Sequence, residues 1–89
     1  MGNAVKIGDI GTAHGDCEAT PVISGSTSVK VDGIPLAHQG DILAPHSSHS
    51  RVIAGGSNTV FIDGKPAART GDAVSCGGIL IGGGSVNIG

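Results

Sequence analysis

The sequence predicts a small all-β domain of short hairpins set around a pseudo-threefold axis, with a metal site at one end. Three observations predict it. An ungapped repeat of 31-residue period runs through the middle of the chain, and Asp-Gly and Gly-Asp pairs recur at fixed places within it. No stretch long enough to matter has helical periodicity. His and Cys fall at matched points of the repeat.

Residues 25–41 read GSTSVKVDGIPLAHQGD and residues 56–72 read GSNTVFIDGKPAARTGD, with 9 of 17 positions identical. A fixed period of this size decides the architecture before any local reading. Each copy reads as a hairpin. Val29 and Val31 alternate with Lys30, and Val60 and Ile62 alternate with Phe61, as half-buried strands do. Asp32-Gly33 and Asp63-Gly64 supply the positive φ that tight hairpin turns need. Pro35 and Pro66 cannot donate to a ladder and belong at an edge or a bulge. Gly40-Asp41 and Gly71-Asp72 close the copies with a bend signal.

The two chain ends carry a third copy, split in two. Val5-Lys6-Ile7-Gly8-Asp9 matches the end of the unit, and residues 84–89 match its start. The third hairpin is thus cut at its turn, which predicts termini lying side by side in a circularly arranged domain spanning 1–89 without an extension domain. An apolar pair precedes each unit, read as Val22-Ile23, Val52-Ile53 and Leu80-Ile81. Short strands closed around an axis also leave few free edges.

Composition asks for a staple. A chain of 89 residues with 17 glycines, one Phe and neither Trp nor Tyr buries little apolar surface and orders a great deal of flexible backbone. Small domains of this kind lean on a disulfide, a metal or a partner. No apolar leader follows Met1. A cytoplasmic chain is therefore expected, in which Cys17 and Cys76 serve as thiols or metal ligands rather than a disulfide. No apolar run approaches the roughly 20 residues of a bilayer span, so stable membrane insertion is not expected. The net charge of −2, without a basic patch interleaved with aromatics, argues against nucleic acid.

The repeat picks out the ligands. His14 follows Asp9 by five residues, His46 follows Asp41 by five, and Cys76 follows Asp72 by four. A lone histidine is usually a solvated side chain. Three ligand-type residues on equivalent loops of a threefold body instead converge on the axis. His49, from the same loop as His46, supplies a fourth. The set His14, His46, His49 and Cys76 suits tetrahedral zinc, and four protein ligands close the shell, which marks a structural site. Such a site contributes about 10–16 kcal/mol to folding in small zinc peptides. Cys17, three residues after His14, either replaces His49 or lies buried as a small hydrophobe; its repeat equivalents are not ligands, which leaves it outside the set. His38 aligns with Lys6 and Arg69, a basic position beside Asp9, Asp41 and Asp72, and is not counted as a ligand.

Pro66-Ala67-Ala68-Arg69 is the motif that names the PAAR-repeat proteins. Val60-Phe61-Ile62-Asp63-Gly64-Lys65 before it, Thr70-Gly71-Asp72 after it, His14-Gly15 and Ser75-Cys76-Gly77 also resemble that family, over about residues 5–89. The chain departs from the pattern twice. The first copy reads Pro35-Leu36-Ala37-His38, and the middle loop reads Ala44-Pro45-His46-Ser47-Ser48-His49 where relatives often have Cys-Pro before His-Gly. The resemblance implies a β cone with zinc held near its apex by three histidines and one cysteine. Its base would dock on the blunt end of a trimeric β-helical spike, the VgrG protein of type VI secretion or its phage-tail counterpart. It further implies a protein that is a monomer by itself, assembled in a bacterial cytoplasm and then carried at the tip of the injection apparatus. Residues near the apolar pairs are the candidates for docking.

An enzyme is not expected. A zinc hydrolase needs an open metal position and a general base. Asp16, Glu18 or Asp41 could be nominated, but the closed ligand set leaves no such position. Ser47 and Ser48 lack a nucleophile elbow. The alternative is a zinc-stabilised β binding module for a different trimeric partner, or an adaptor recruiting effector proteins to the spike.

Overall fold

The repeat makes the same bend three times, at Lys6-Ile7-Gly8-Asp9, His38-Gln39-Gly40-Asp41 and Arg69-Thr70-Gly71-Asp72. In each, the Asp amide donates to the carbonyl of the first residue at 3.0 Å. The glycine lies at φ +94° to +96°, a left-handed position that L side chains avoid and that a type II turn requires at its third residue. The Asp carboxylate reaches back to accept the first residue's own amide, at 3.0, 2.7 and 2.7 Å. The Gly-Asp signal is therefore a turn closed from both sides.

The computed structural model describes residues 2–13, 18–31, 33–46, 49–75, 77–83 and 86–88. Among these there is no helix, and the strands are β1 (Gly2–Asn3), β2 (Ile10–Gly11), β3 (Thr20–Pro21), β4 (Lys30–Val31), β5 (Ile34–Pro35), β6 (Ile42–His46), β7 (His49–Val52), β8 (Phe61–Ile62), β9 (Lys65–Pro66), β10 (Leu80–Ile81) and β11 (Asn87–Ile88). All described pairings are antiparallel.

Two tiers of hairpins build the body. One tier holds β4–β5, β8–β9 and β1–β11. In β8–β9 the two-residue turn is Asp63-Gly64, at φ +53° and +80°, the type I′ geometry whose twist matches the strands. The third member of this tier is the split copy: Gly2 pairs with Ile88 and Asn3 with Asn87, so the termini lie side by side. Pro35 and Pro66 sit at the outer ends of their hairpins, opposite Lys30 and Phe61, where no donor is required of them. The expected alternation holds in part. Ile62 is buried, but Val29 and Val60 are more than a third exposed.

The other tier closes into a belt. Its hairpins are β2–β3, β6–β7 and the pair formed by Ala73 with Ile79, continued by Val74 N–H donating to Gly78 O at 3.2 Å. Cross-pairs Leu80 with Gly11, Val22 with Leu43, and Ile53 with Val74 join each hairpin to the next around the axis. The equivalent apolar positions are thus Val22, Ile53 and Leu80. The apolar pair of the second unit is Ile53-Ala54, one residue beyond the Val52-Ile53 expected from sequence; the 31-residue offset from Val22 lands on Ile53. Val22, Ile53 and Leu80 are all buried.

Between the tiers the axis is closed by a ring of backbone hydrogen bonds. Val5 donates to Ala68 at 3.2 Å, Ala68 to Ala37 at 3.0 Å, and Ala37 to Val5 at 2.8 Å. Small residues fit where three chains approach one line. One apolar cluster lies on the belt side of this ring, with Val22, Leu43, Ile53, Val74 and Leu80 around Val5, Ala37 and Ala68. A second lies on the hairpin side, with Ala4, Leu36, Ala67, Ile62 and Ile88. The body measures 32 × 22 × 22 Å.

Candidate metal centre

The connecting segments of the three belt hairpins hold equivalent places in the repeat. They are residues 12–19 between β2 and β3, residues 47–48 between β6 and β7, and residues 75–78 in the third hairpin. These are the loops that carry the expected ligands. His46 and His49 are backbone partners at the tip of β6–β7. The pairing register shifts between Leu43 and His46, with Pro45 inside the irregular stretch, where a missing donor is tolerated. His14, Cys76 and the alternative ligand Cys17 lie outside the described residues. Their flanks do not: Thr12 donates to Ile79 O at 2.8 Å, and Ile79 N–H donates to Thr12 Oγ1 at 2.9 Å. The segment entering the His14 loop is thus bound to the segment leaving the Cys76 loop. Imidazole and thiolate donors fit a tetrahedral zinc ion in donor chemistry.

One residue of the belt was not legible as functional. Arg51 follows His49 by two residues in β7, and it is the largest fully buried side chain, with no exposed surface. Its Nη1 donates to Gly11 O at 3.1 Å and to Thr20 Oγ1 at 2.9 Å. Its Nη2 donates to Thr12 O at 2.7 Å and to Gly77 O at 3.0 Å. Room for the guanidinium comes from two glycines. A Cβ on Gly78 would stand 2.8 Å from Nη2, and a Cβ on Gly11 would collide with Leu43 Cδ2 and stand 3.3 Å from Nη2. The reason shows only in the fold. The belt register aligns Arg51 with Thr20 and Gly78, two small residues, so one large side chain fills a place on the axis that the other copies leave open.

The basic position of the repeat meets the aspartate of its own turn in all three copies. Lys6 Nζ lies 3.3 Å from Asp9, His38 Nδ1 3.4 Å from Asp41, and Arg69 Nε 3.1 Å from Asp72. Each pair spans one turn, and the same carboxylate holds the turn's backbone. Their part is to fix the bends that send the chain from one tier to the other.

The model of the PAAR motif family matches residues 8–82 of the chain. The chain belongs to the PAAR motif family. No curated protein matches it. In this PAAR-motif chain the naming residues have plain structural duties. Pro66 ends β9. Ala67 and Ala68 are fully buried, Ala68 in the axial ring and Ala67 in the cluster on its hairpin side. Arg69 braces its turn through Asp72 and donates from Nη2 to Gly56 O at 3.1 Å.

Proposed function

We propose that the chain caps a trimeric β-helical spike, of the VgrG type in a type VI secretion system or of a phage-like contractile machine, and that a structural zinc held by His14, His46, His49 and Cys76 rigidifies the free end. Membership of the PAAR motif family is consistent with a spike-tip role. The observation that carries the reading is the threefold repetition of backbone bonds within one chain. A trimeric β-helix ends in three equivalent sets of unpaired backbone groups. A single chain that repeats itself about an axis can meet all three by edge addition, whereas an asymmetric domain would match one.

The docking face on this reading is the hairpin tier. Val29, Val60 and Val86 occupy equivalent places there, and all three are exposed together with Phe61. The apolar pairs favoured from sequence belong to the belt instead, with Ile23 and Ile81 on its flank. The metal end points away from the spike, toward the target surface, and the role is mechanical with no turnover. The chain is assembled in the bacterial cytoplasm and leaves with the spike.

The test is to mix the purified chain with a trimeric VgrG-type spike and measure stoichiometry and metal content together. One chain and about one zinc per three spike chains is expected, with Val60→Asp weakening the complex and His14→Ala or Cys76→Ser losing the zinc. Failure of the wild-type chain to bind such a trimer overturns the cap. A bound, metal-free chain overturns the zinc.

A further inference from the structure

A buried guanidinium among neutral acceptors is an expensive arrangement. Arg51 is wholly buried, its four described acceptors are three carbonyls and a hydroxyl, and its Nε has no hydrogen-bond partner among the described residues. A buried unpartnered N–H is destabilising, because its lost hydration is not replaced. An apolar side chain of similar length would fill the same space without that cost. What an apolar side chain could not do is join the strands it touches. Gly11 and Thr12 enter the first belt loop, Thr20 leaves it, and Gly77 follows Cys76 directly. Arg51 itself lies on the strand that begins at His49.

We infer that Arg51 is the positioning residue of the metal end: one guanidinium fork on the axis ties the roots of all three ligand-bearing loops together and holds them at the spacing the metal requires. The inference rests on the zinc reading above. The planar fork suits this task, since its N–H groups diverge in fixed directions to acceptors on different chains. Its charge works the other way, because a fixed positive charge disfavours a cation bound nearby. Positioning and repulsion therefore predict opposite outcomes when the guanidinium is removed.

The experiment compares wild type, Arg51→Met and Arg51→Lys, each as purified. Two quantities are read: zinc retention against a chromophoric chelator, and amide hydrogen exchange. Met preserves volume without donors; Lys preserves charge without the fork. The expected result is a roughly 10- to 100-fold loss of zinc affinity in both variants, the range typical for removal of a residue that orients metal ligands. It is accompanied by faster exchange of the Thr12 and Ile79 amides, while the axial amides of Val5, Ala37 and Ala68 keep their protection. Unchanged or tighter zinc binding in Arg51→Met overturns the positioning role, as does full retention in Arg51→Lys, which would show that the fork is not required. Loss of protection at Val5, Ala37 and Ala68 overturns it too, by making Arg51 a general core residue. A wild type without zinc, still showing the local exchange effect in Arg51→Met, overturns the metal reading and leaves Arg51 a clamp of the loops alone.

Discussion

Asp63 shows how much a single residue can carry in a chain so short of side chains. It is the non-glycine residue with positive φ among those described. Its carboxylate accepts Ser26 Oγ at 2.7 Å and Ser28 Oγ at 2.8 Å, so the turn of one hairpin is tied to the start of the neighbouring unit. These two hydroxyl bonds, Ser26 first and Ser28 second, hold its carboxyl below the ordinary value of 3.8, with smaller help from His38 and Lys65. A carboxyl with a lowered folded pKa contributes stability above its unfolded value and loses it as pH falls through the folded value. Asp63 should therefore stabilise the fold at neutral pH and cease to do so progressively below pH 3.8. Asp63→Asn keeps the left-handed backbone accessible and removes the charge. Thermal melts across pH 2 to 7 should show the variant less stable than wild type at neutral pH, with the gap narrowing toward the acid end; a gap independent of pH would assign the effect to the turn rather than the charge.

Among the elements, the belt hairpins are equivalent in path and unequal in filling. Gly11, Leu43 and Val74 occupy matching places, as do Thr20, Arg51 and Gly78. The middle hairpin carries the large member of each set, and the first hairpin makes way with Gly11. Leu43, buried and lying against Gly11, is thus the side chain that fills the belt. Leu43→Ala should cost ~2–5 kcal/mol in denaturant unfolding, because Gly11 offers no side chain to collapse into the hole. Val74→Ala removes less volume and should cost less; equal losses would show a symmetric core.

This inequality also marks what could be read in advance. The Gly-Asp bends, the Asp-Gly turn and the split third copy are encoded by residues with special backbone needs, and those needs are local. Arg51 looked like one more polar residue after His46-Ser47-Ser48-His49, since burial depends on which residues stand across the axis. The slip from Val52-Ile53 to Ile53-Ala54 has the same origin. Two adjacent apolar residues do not say which faces inward until the cross-pair with Val74 is known. His14 and Cys76 were legible only as repeat positions, and the roots of their loops, bound through Thr12, Ile79 and Arg51, are what the fold adds.

For the molecule as a whole, the seam between β1 and β11 follows from a threefold body made by one chain, because a closed arrangement must be cut somewhere. The cut falls at the turn of a hairpin, and the two ladder pairs across it reproduce those of β4–β5 and β8–β9. A circular permutant should therefore fold. Joining residue 89 to residue 2 through an Asn-Gly turn and opening the chain between Asp63 and Gly64 moves the seam to an equivalent hairpin. Its melting temperature should stay within several degrees of wild type, less the Asp63–Ser26 tie. A permutant that does not fold would show that the seam's position is itself required.

The seam has one more consequence, for how the body bears load. Adjacent ends on an antiparallel ladder form a zipper: tension applied to both termini peels Gly2 from Ile88, then Asn3 from Asn87, one rung at a time. Thrust along the long axis meets a different assembly, in which the backbone ring of Val5, Ala37 and Ala68 and the closed belt share the load among three struts at once. The same short strands are thus weak in peeling and stiff in compression.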